Sequence, residues 1–288
     1  MPSHPLQFAA PPRRVPLSLT ILNFFNPVAQ LGWGILGVGM LFFWIFGANA
    51  DYSFLTFAGS HPTVQGTITR VDKTNASEDR GEVHANHYQY SVAGRSFSGV
   101  SYDTGGSAAQ GDAVTVEYSD SDPGRSRIAG MRRSMFGPAA AIVAIFPLLG
   151  LAILVPAELS GKRRNRMLRY GYFTTGKLTG KAPMNVMVNG RQMHELTFEF
   201  KTRDGQKAEA KARTSDSSLL EDDKNEPLLY DPEDPTFAFL LDEVPSRPEV
   251  EPNGDLRGRP AAALGALIFP GLIVAVNALV LFVKYVLR

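Results

Sequence analysis

One stretch, Ser134 to Arg169, constrains this chain more than any other. It opens with Ser134–Ala157, which carries no charged residue, and closes with Lys162, Arg163, Arg164, Arg166 and Arg169. At about 1.5 Å rise per residue an uncharged helix of that length is roughly 36 Å long, enough to cross a bilayer core of about 30 Å. A cationic cluster directly behind a membrane helix is retained on the cytoplasmic side. The stretch is therefore expected to cross a membrane, to set orientation, and to separate two polar segments of similar length.

Composition removes several classes of function. Lys plus Arg number 29 against 28 Asp plus Glu, so no global charge points to nucleic acid. There is no cysteine, which excludes disulfides, thiolate metal sites and cysteine nucleophiles. Ala48-Asn49-Ala50 resembles a signal-peptide cleavage site, but the apolar stretch before it is too long for a signal core. A retained anchor is the expectation. Arg13-Arg14 reads as its positive-inside flank.

In chain order, residues 1–16 are rich in proline and alanine and are expected to be a disordered tail. Residues 17–26 suit a short helix in the membrane interface, with Ser18, Thr20, Asn23 and Asn26 supplying polarity. Pro27 ends it, and residues 28–48 form the first crossing. Gly32, Gly34, Gly37 and Gly39 in its first half allow close packing against the other helices. Residues 51–133 are polar, with period-two alternation at Val64–Val71, His87–Ala93, Ser96–Tyr102, Ala113–Tyr118 and Arg125–Ile128. Thr74–Ala85, with Glu78, Asp79, Arg80 and Glu82, reads as a loop between the first two strands. Asn75-Ala76-Ser77 in it fits a glycosylation sequon, which matters only in a eukaryotic secretory setting.

After the crossing at 134–157 and the basic segment 158–170, residues 171–242 repeat the β pattern. Leu196, Phe198 and Phe200 alternate with Thr197, Glu199 and Lys201, and Asp204-Gly205 signals a hairpin turn. Ala208, Ala210 and Ala212 alternate on the return strand, and short strands are expected near Leu228–Tyr230 and Phe237–Leu240. Residues 243–260 read as a linker and 261–283 as the third crossing, with Lys284 and Arg288 beyond it.

The two polar segments match at an offset of about 110 residues. Val64-Gln-Gly-Thr-Ile-Thr69 corresponds to Thr174-Thr-Gly-Lys-Leu-Thr179, and Tyr118 through Asp122-Pro123 to Tyr230 through Asp234-Pro235. Pro138-Ala-Ala-Ala and Pro260-Ala-Ala-Ala open the helices that follow, and each helix holds a second proline, Pro147 or Pro270, expected to kink it. The fold class expected is membrane α + β: three transmembrane helices and two small antiparallel β domains, barrel- or sandwich-like, related by duplication. A single crossing between the two domains sets them on opposite faces. Arg13-Arg14 and the Lys162–Arg169 cluster, two crossings apart, agree on the cytoplasm, so domain one is expected outside. Arg132 and Arg133 dissent from that orientation. A multi-pass protein of the inner membrane, with a cytoplasmic N-terminus and an extracytoplasmic C-terminus, follows.

At Gly66-Thr-Ile, Tyr88-Gln-Tyr-Ser-Val-Ala-Gly-Arg-Ser-Phe97, Gly111-Asp-Ala-Val-Thr-Val-Glu-Tyr118 and Asp122-Pro123 the chain resembles the domain of unknown function 3592 family. The resemblance implies a bacterial membrane protein with a small β domain beside membrane helices, and it brings no catalytic residues. The second copy, Gly176 to Leu240, departs from the pattern, with Asn225-Glu226-Pro227 set against Gly111-Asp112-Ala113.

Candidate chemistry is sparse. His84 and His87, with Asp79 and Glu82 nearby, are the one group with metal-ligand character, at a spacing that suits a helical face; the region reads instead as solvated loop. Tyr118, Asp122 and Pro123, and their counterparts Tyr230, Asp234 and Pro235, read as turn formers. Ser101 and Ser107 have no base, and Gly105-Gly106 lacks the lysine and helix of a phosphate loop. Asn277, inside the third crossing, reads as hydrogen-bonding glue. No catalytic residue, cofactor or metal is expected. The expected partners are anionic lipid heads near Lys162, Arg163, Arg164, Arg166 and Arg169, an envelope or membrane protein, and a possible second copy. A non-enzymatic scaffold is the leading expectation; an oligomeric channel or transporter built from repeats is the alternative.

Overall fold

The computed structural model describes residues 8–78, 81–106, 108–188, 190–215 and 225–286. Among the described residues three helices are long and apolar enough to cross a membrane: Pro27–Asn49, Pro138–Tyr170 and Pro260–Tyr285. Two compact units divide the chain. One comprises Gly37–Leu148 and Asn277–Arg288, the other Met1–Leu36 and Leu149–Val276, so each long helix is shared between them.

After the short helix α3 (Ser53–Thr56), the first unit contains β1 (Thr63–Glu78), β2 (Gly81–Val92), β3 (Arg95–Thr104), β4 (Ala113–Ser119) and β5 (Asp122–Ile128), in the order β3-β2-β1-β4-β5 with antiparallel neighbours. The sheet curls until its edges meet. Ser101 Oγ on β3 accepts the Ile128 amide of β5 at 2.9 Å, and Tyr102 and Arg132 exchange backbone bonds at 2.7 and 3.0 Å. Tyr88, Tyr90, Val116 and Ile128 fill the enclosed core, as their alternation requires.

Thr74–Glu78 and Gly81–Ala85, expected as loop, are strand. The ladder runs on through Lys73↔His84 to Ser77↔Glu82 and Glu78↔Gly81, forming a hairpin arm. One face of the arm is covered, with Val83 and Ala85 buried and Thr74, Ala76 and Glu78 half-buried, but on β1 that face carries threonine, alanine and glutamate, so it shows no apolar alternation. Its strands are held by the ladder, by Thr74 Oγ1 donating to Val83 O at 2.7 Å, and by the Lys73–Glu82 pair at 2.5 Å. At its end Glu78 pairs with Arg132. That pair neutralises one of the two arginines that dissent from the expected orientation. Asp79 and Arg80 lie outside the described residues.

The second unit contains β6 (Tyr172–Val188), β7 (Arg191–Lys201), β8 (Lys207–Thr214), β9 (Glu226–Tyr230) and β10 (Ala238–Leu240), in the order β10-β9-β6-β7-β8. Counted from its own first strand, this is the order of the first sheet. The irregularities coincide as well. β1/β2 shift register at Ile68/Arg70 and Lys73/Ser77, and β6/β7 at Leu178/Gly180 and Pro183/Met187, again about 110 residues on. Leu196, Phe198, Phe200, Ala210 and Ala212 line the core, and the Asp204-Gly205 turn joins β7 to β8.

A second apolar cluster joins this barrel to helices. Leu19 of α1 (Leu17–Phe24), Met167 and Leu168 of α4 (Ile145–Tyr170), and Leu229, Leu241 and Leu256 pack together, with Phe8 and Val15 against them. The expectation of a disordered tail is thus corrected for residues 8–16. Phe8 stacks on Phe173 at 5.1 Å, and Arg13 is 5% exposed. Polar residues of α1, expected to face an aqueous interface, bond to protein. Asn23 donates to Asn165 Oδ1 at 2.8 Å and accepts the Ser246 amide at 3.3 Å, and Ser18 Oγ accepts the Arg259 amide at 2.8 Å. Val250 and Leu256 bridge within residues 243–260, which fold back as a small hairpin.

Asn26 caps α2 (Pro27–Ile45), its Oδ1 accepting the amides of Val28 and Ala29 at 3.0 and 3.1 Å, with Pro27 in the first turn. The basic segment 158–170 is no separate element; it forms the last turns of α4. Pro147 does not sit mid-helix either. A 3-10 turn, Pro138–Ala144, leads into α4, and Pro147 falls in its first turn, where a missing N–H costs nothing. Pro270 does lie inside α5 (Pro260–Tyr285). Within the second unit, a Cβ on Gly32 would stand 3.0 Å from Leu154 N, and Gln30 Nε2 donates to Ala266 O at 2.7 Å. Within the first, a Cβ on Gly39 would meet Pro147 N at 2.6 Å, and Asn277 Nδ2 donates to Gly37 O at 3.3 Å. Gly32 and Gly39 of α2 make the close contact with α4.

Candidate functional site

Both histidines lie on β2, His84 where a loop is expected and His87 where a strand is, and they are three residues apart on one regular strand. Their side chains therefore leave opposite faces. His87 Nε2 lies 3.0 Å from Asp72 Oδ2, and His84 Nδ1 lies 3.1 Å from Glu82 O. A spacing that suits a helical face separates ligands on a strand. Among the described residues no three His, Asp or Glu side chains are gathered as a metal ion needs.

The tyrosine and Asp-Pro pairs are structural in their contacts. Asp122 Oδ1 accepts the Gly124 amide at 3.2 Å, and Asp234 Oδ1 accepts the Thr236 amide at 3.1 Å, each closing a turn. Tyr90 donates to the carbonyl of Pro123, which ties the β2 core face to the start of β5. Tyr230 Oη, in the second barrel, accepts the Arg203 amide at 2.7 Å. Burial raises the pKa of both Tyr88 and Tyr90, so each phenol stays protonated at neutral pH. Ser101 is fully buried, its hydroxyl used on Ile128. Ser107 lies outside the described residues. Gly105 follows the end of β3, its amide donating to Glu82 O at 3.3 Å, and the next element is strand β4 rather than a helix.

Glu226 was misread from sequence. Gly66 pairs with Val114 and Gly176 with Glu226, so Glu226 stands at the Val114 position rather than near Asp112. It is 2% exposed, in a strand whose five residues are all buried.

The basic cluster on α4 is divided by its neighbours. Arg166 reaches Glu233 at 3.3 Å and Asp231 at 4.0 Å, and the Arg169 guanidinium lies 5.3 Å from the Tyr170 ring centroid. Lys162 and Arg163 are exposed. Arg14, Arg166, Arg169 and Tyr170, with Glu251 and Asp255 across from them, line a cleft of about 850 Å³ in the second unit. Both signs of charge meet there. Arg13, read from sequence as an orienting charge, is buried at the base of this region and holds the end of α4; its signal was only the Arg13-Arg14 pair ahead of an apolar run.

Comparison with known proteins bears on the first barrel alone. No curated protein and no solved structure matches the chain. The family described as "Domain of unknown function (DUF3592)" matches residues 64–132, which span β1 through β5 and end at the arginine that closes the barrel on Tyr102 and Glu78. The first barrel of this chain, with its Gly66, Tyr88-Gln-Tyr90 and Gly111-Asp112 elements, is the part that resembles that family.

Proposed function

We propose that this chain is a three-helix integral protein of a bacterial inner membrane that carries a β barrel on each face and acts as a non-enzymatic scaffold. One observation carries the reading. The side chains with chemical potential in both barrels (Tyr90, Ser101, Asp122, Tyr230, Asp234) each make a bond that holds a turn or closes a barrel. What they leave outward is surface, which suits partner binding. Shared strand order and matching register shifts support descent of both barrels from one duplicated unit. The exposed Lys162 and Arg163, at the end of a crossing helix, suit contact with anionic lipid heads. The Glu78–Arg132 pair removes one outer positive charge and so favours an outward first barrel.

The test is a mild-detergent purification of the tagged full-length protein from its native membrane, with mass and stoichiometry determined. A stoichiometric second protein is expected. A pure homo-oligomer would count against the scaffold and lead to flux measurements in liposomes with Asn277 altered.

A further inference from the structure

Within the first unit, the C-terminal ends of α2 and α5 and the segment 133–136 enclose a cleft of about 730 Å³. Its walls are of two kinds. Ile45, Leu279 and Val283 are apolar and 51%, 61% and 47% exposed; Arg133 and Lys284 are cationic. Lys284 Nζ donates to Trp44 O at 3.0 Å and Asn49 Oδ1 at 3.3 Å, both neutral acceptors, and an ammonium has three donors. The Arg133 guanidinium lies 5.9 Å from the Phe57 ring centroid. The nearby carboxylate of Asp51 accepts the backbone amide of Arg133, at 3.3 Å, and the amide and hydroxyl of Ser53 at 3.2 and 2.7 Å. Among the described residues neither cation has a carboxylate within 4 Å, in contrast to Arg132 beside it, which is paired with Glu78.

Two uncompensated cations at the end of apolar crossing helices set up a specific demand. Their field is weakly screened against a hydrocarbon wall, so an anion held there is favoured. A soluble anion would leave the apolar wall bare. An amphiphile with a phosphate at one end and a hydrocarbon chain at the other satisfies both walls at once. We infer that this cleft binds an anionic phospholipid, its phosphate between Arg133 and Lys284 and its upper acyl chain along Ile45, Leu279 and Val283. The site is distinct from the α4 cluster and does not depend on the scaffold reading.

Trp44 lines the cleft, and the chain has 2 tryptophans, so Trp33→Phe leaves Trp44 as its sole indole. The experiment places full-length Trp33→Phe protein in phosphatidylcholine vesicles doped with either brominated phosphatidylglycerol or the same fraction of brominated phosphatidylcholine. Quenching of Trp44 is expected to report an apparent affinity about fivefold or more higher for the anionic lipid. Adding Arg133→Gln and Lys284→Gln should bring the two lipids to equal quenching, and Arg133→Lys with Lys284→Arg should restore the preference. Equal quenching by the two lipids in the parent protein overturns the proposal, even if the glutamine variant fails to fold. So does a preference that survives the glutamine pair.

Discussion

Arg13 donates from its guanidinium to the carbonyl of Leu168 at 3.1 Å, from the other arm to Gly171 O at 2.7 Å, and its own amide donates to Arg169 O at 2.8 Å. These carbonyls belong to the end of α4 and its exit, where the helix has no amides left to bond them. A cation there also meets the negative end of the helix dipole. Burial lowers the Arg13 pKa to about 10, so the side chain remains charged at neutral pH.

Arg13→Ala should therefore cost about 1.5–3 kcal/mol, the range for hydrogen bonds to a charged group. Arg13→Lys should lose part of that, because an ammonium cannot span both carbonyls as the fork does. Thermal melts of the full-length protein in detergent, followed by circular dichroism, give the ranking. An unchanged melting temperature for the alanine variant would refute a capping role.

Gly66 and Gly176 occupy matching positions where strands approach closely. A Cβ on Gly66 would stand 2.8 Å from Val116 Cγ2 and 2.9 Å from Gln89 O, and one on Gly176 2.6 Å from Leu228 Cδ2. Alanine at either should cost about 1–3 kcal/mol by overpacking. Gly265→Ala, with nothing within 4 Å, should fall within about 0.5 kcal/mol of the parent. Hydrogen exchange resolved by barrel is the measurement. Tolerance of Gly176→Ala alone would break the equivalence of the two barrels.

Glu243 responds to pH. Burial raises its pKa against the opposing pull of the Arg213 amide and of the Arg164 and Arg213 charges. The native state therefore holds this proton more tightly than the unfolded chain does. The associated stability is fully present below the ordinary carboxylate pKa and is lost as pH rises through the native one. Glu243→Gln keeps an acceptor for the amide and should be more stable than the parent at neutral pH, with the difference vanishing in acid. Parallel pH profiles in urea melts of the two proteins would contradict this assignment.

Orientation has its own test. Reporter fusions at Gly105 and at Asp204 are expected to behave as extracytoplasmic and cytoplasmic respectively, since a single crossing separates them. A cytoplasmic signal at Gly105 reverses the assignment.

Much of the architecture was legible in sequence because burial imposes period. Leu196, Phe198 and Phe200 had to alternate to face one core, and uncharged runs had to be long enough for a bilayer. The arm at Thr74–Glu78 was not legible, since the face it half-buries carries Thr74, Ala76 and Glu78, which set up no apolar period and read as polar loop. Glu226 was misaligned for a related reason: register is set by hydrogen-bond pairing, which local composition does not reveal.

By itself the sequence determined three long apolar segments, two β segments and the absence of any thiol. These are properties of composition and period. Only the tertiary structure decided that Arg13 closes a helix, that His84 and His87 point apart, and that Arg132 is neutralised while Arg133 is not. Each of those depends on groups far apart in the chain, and the energy of a charge or a polar group depends on which partner folding brings within reach.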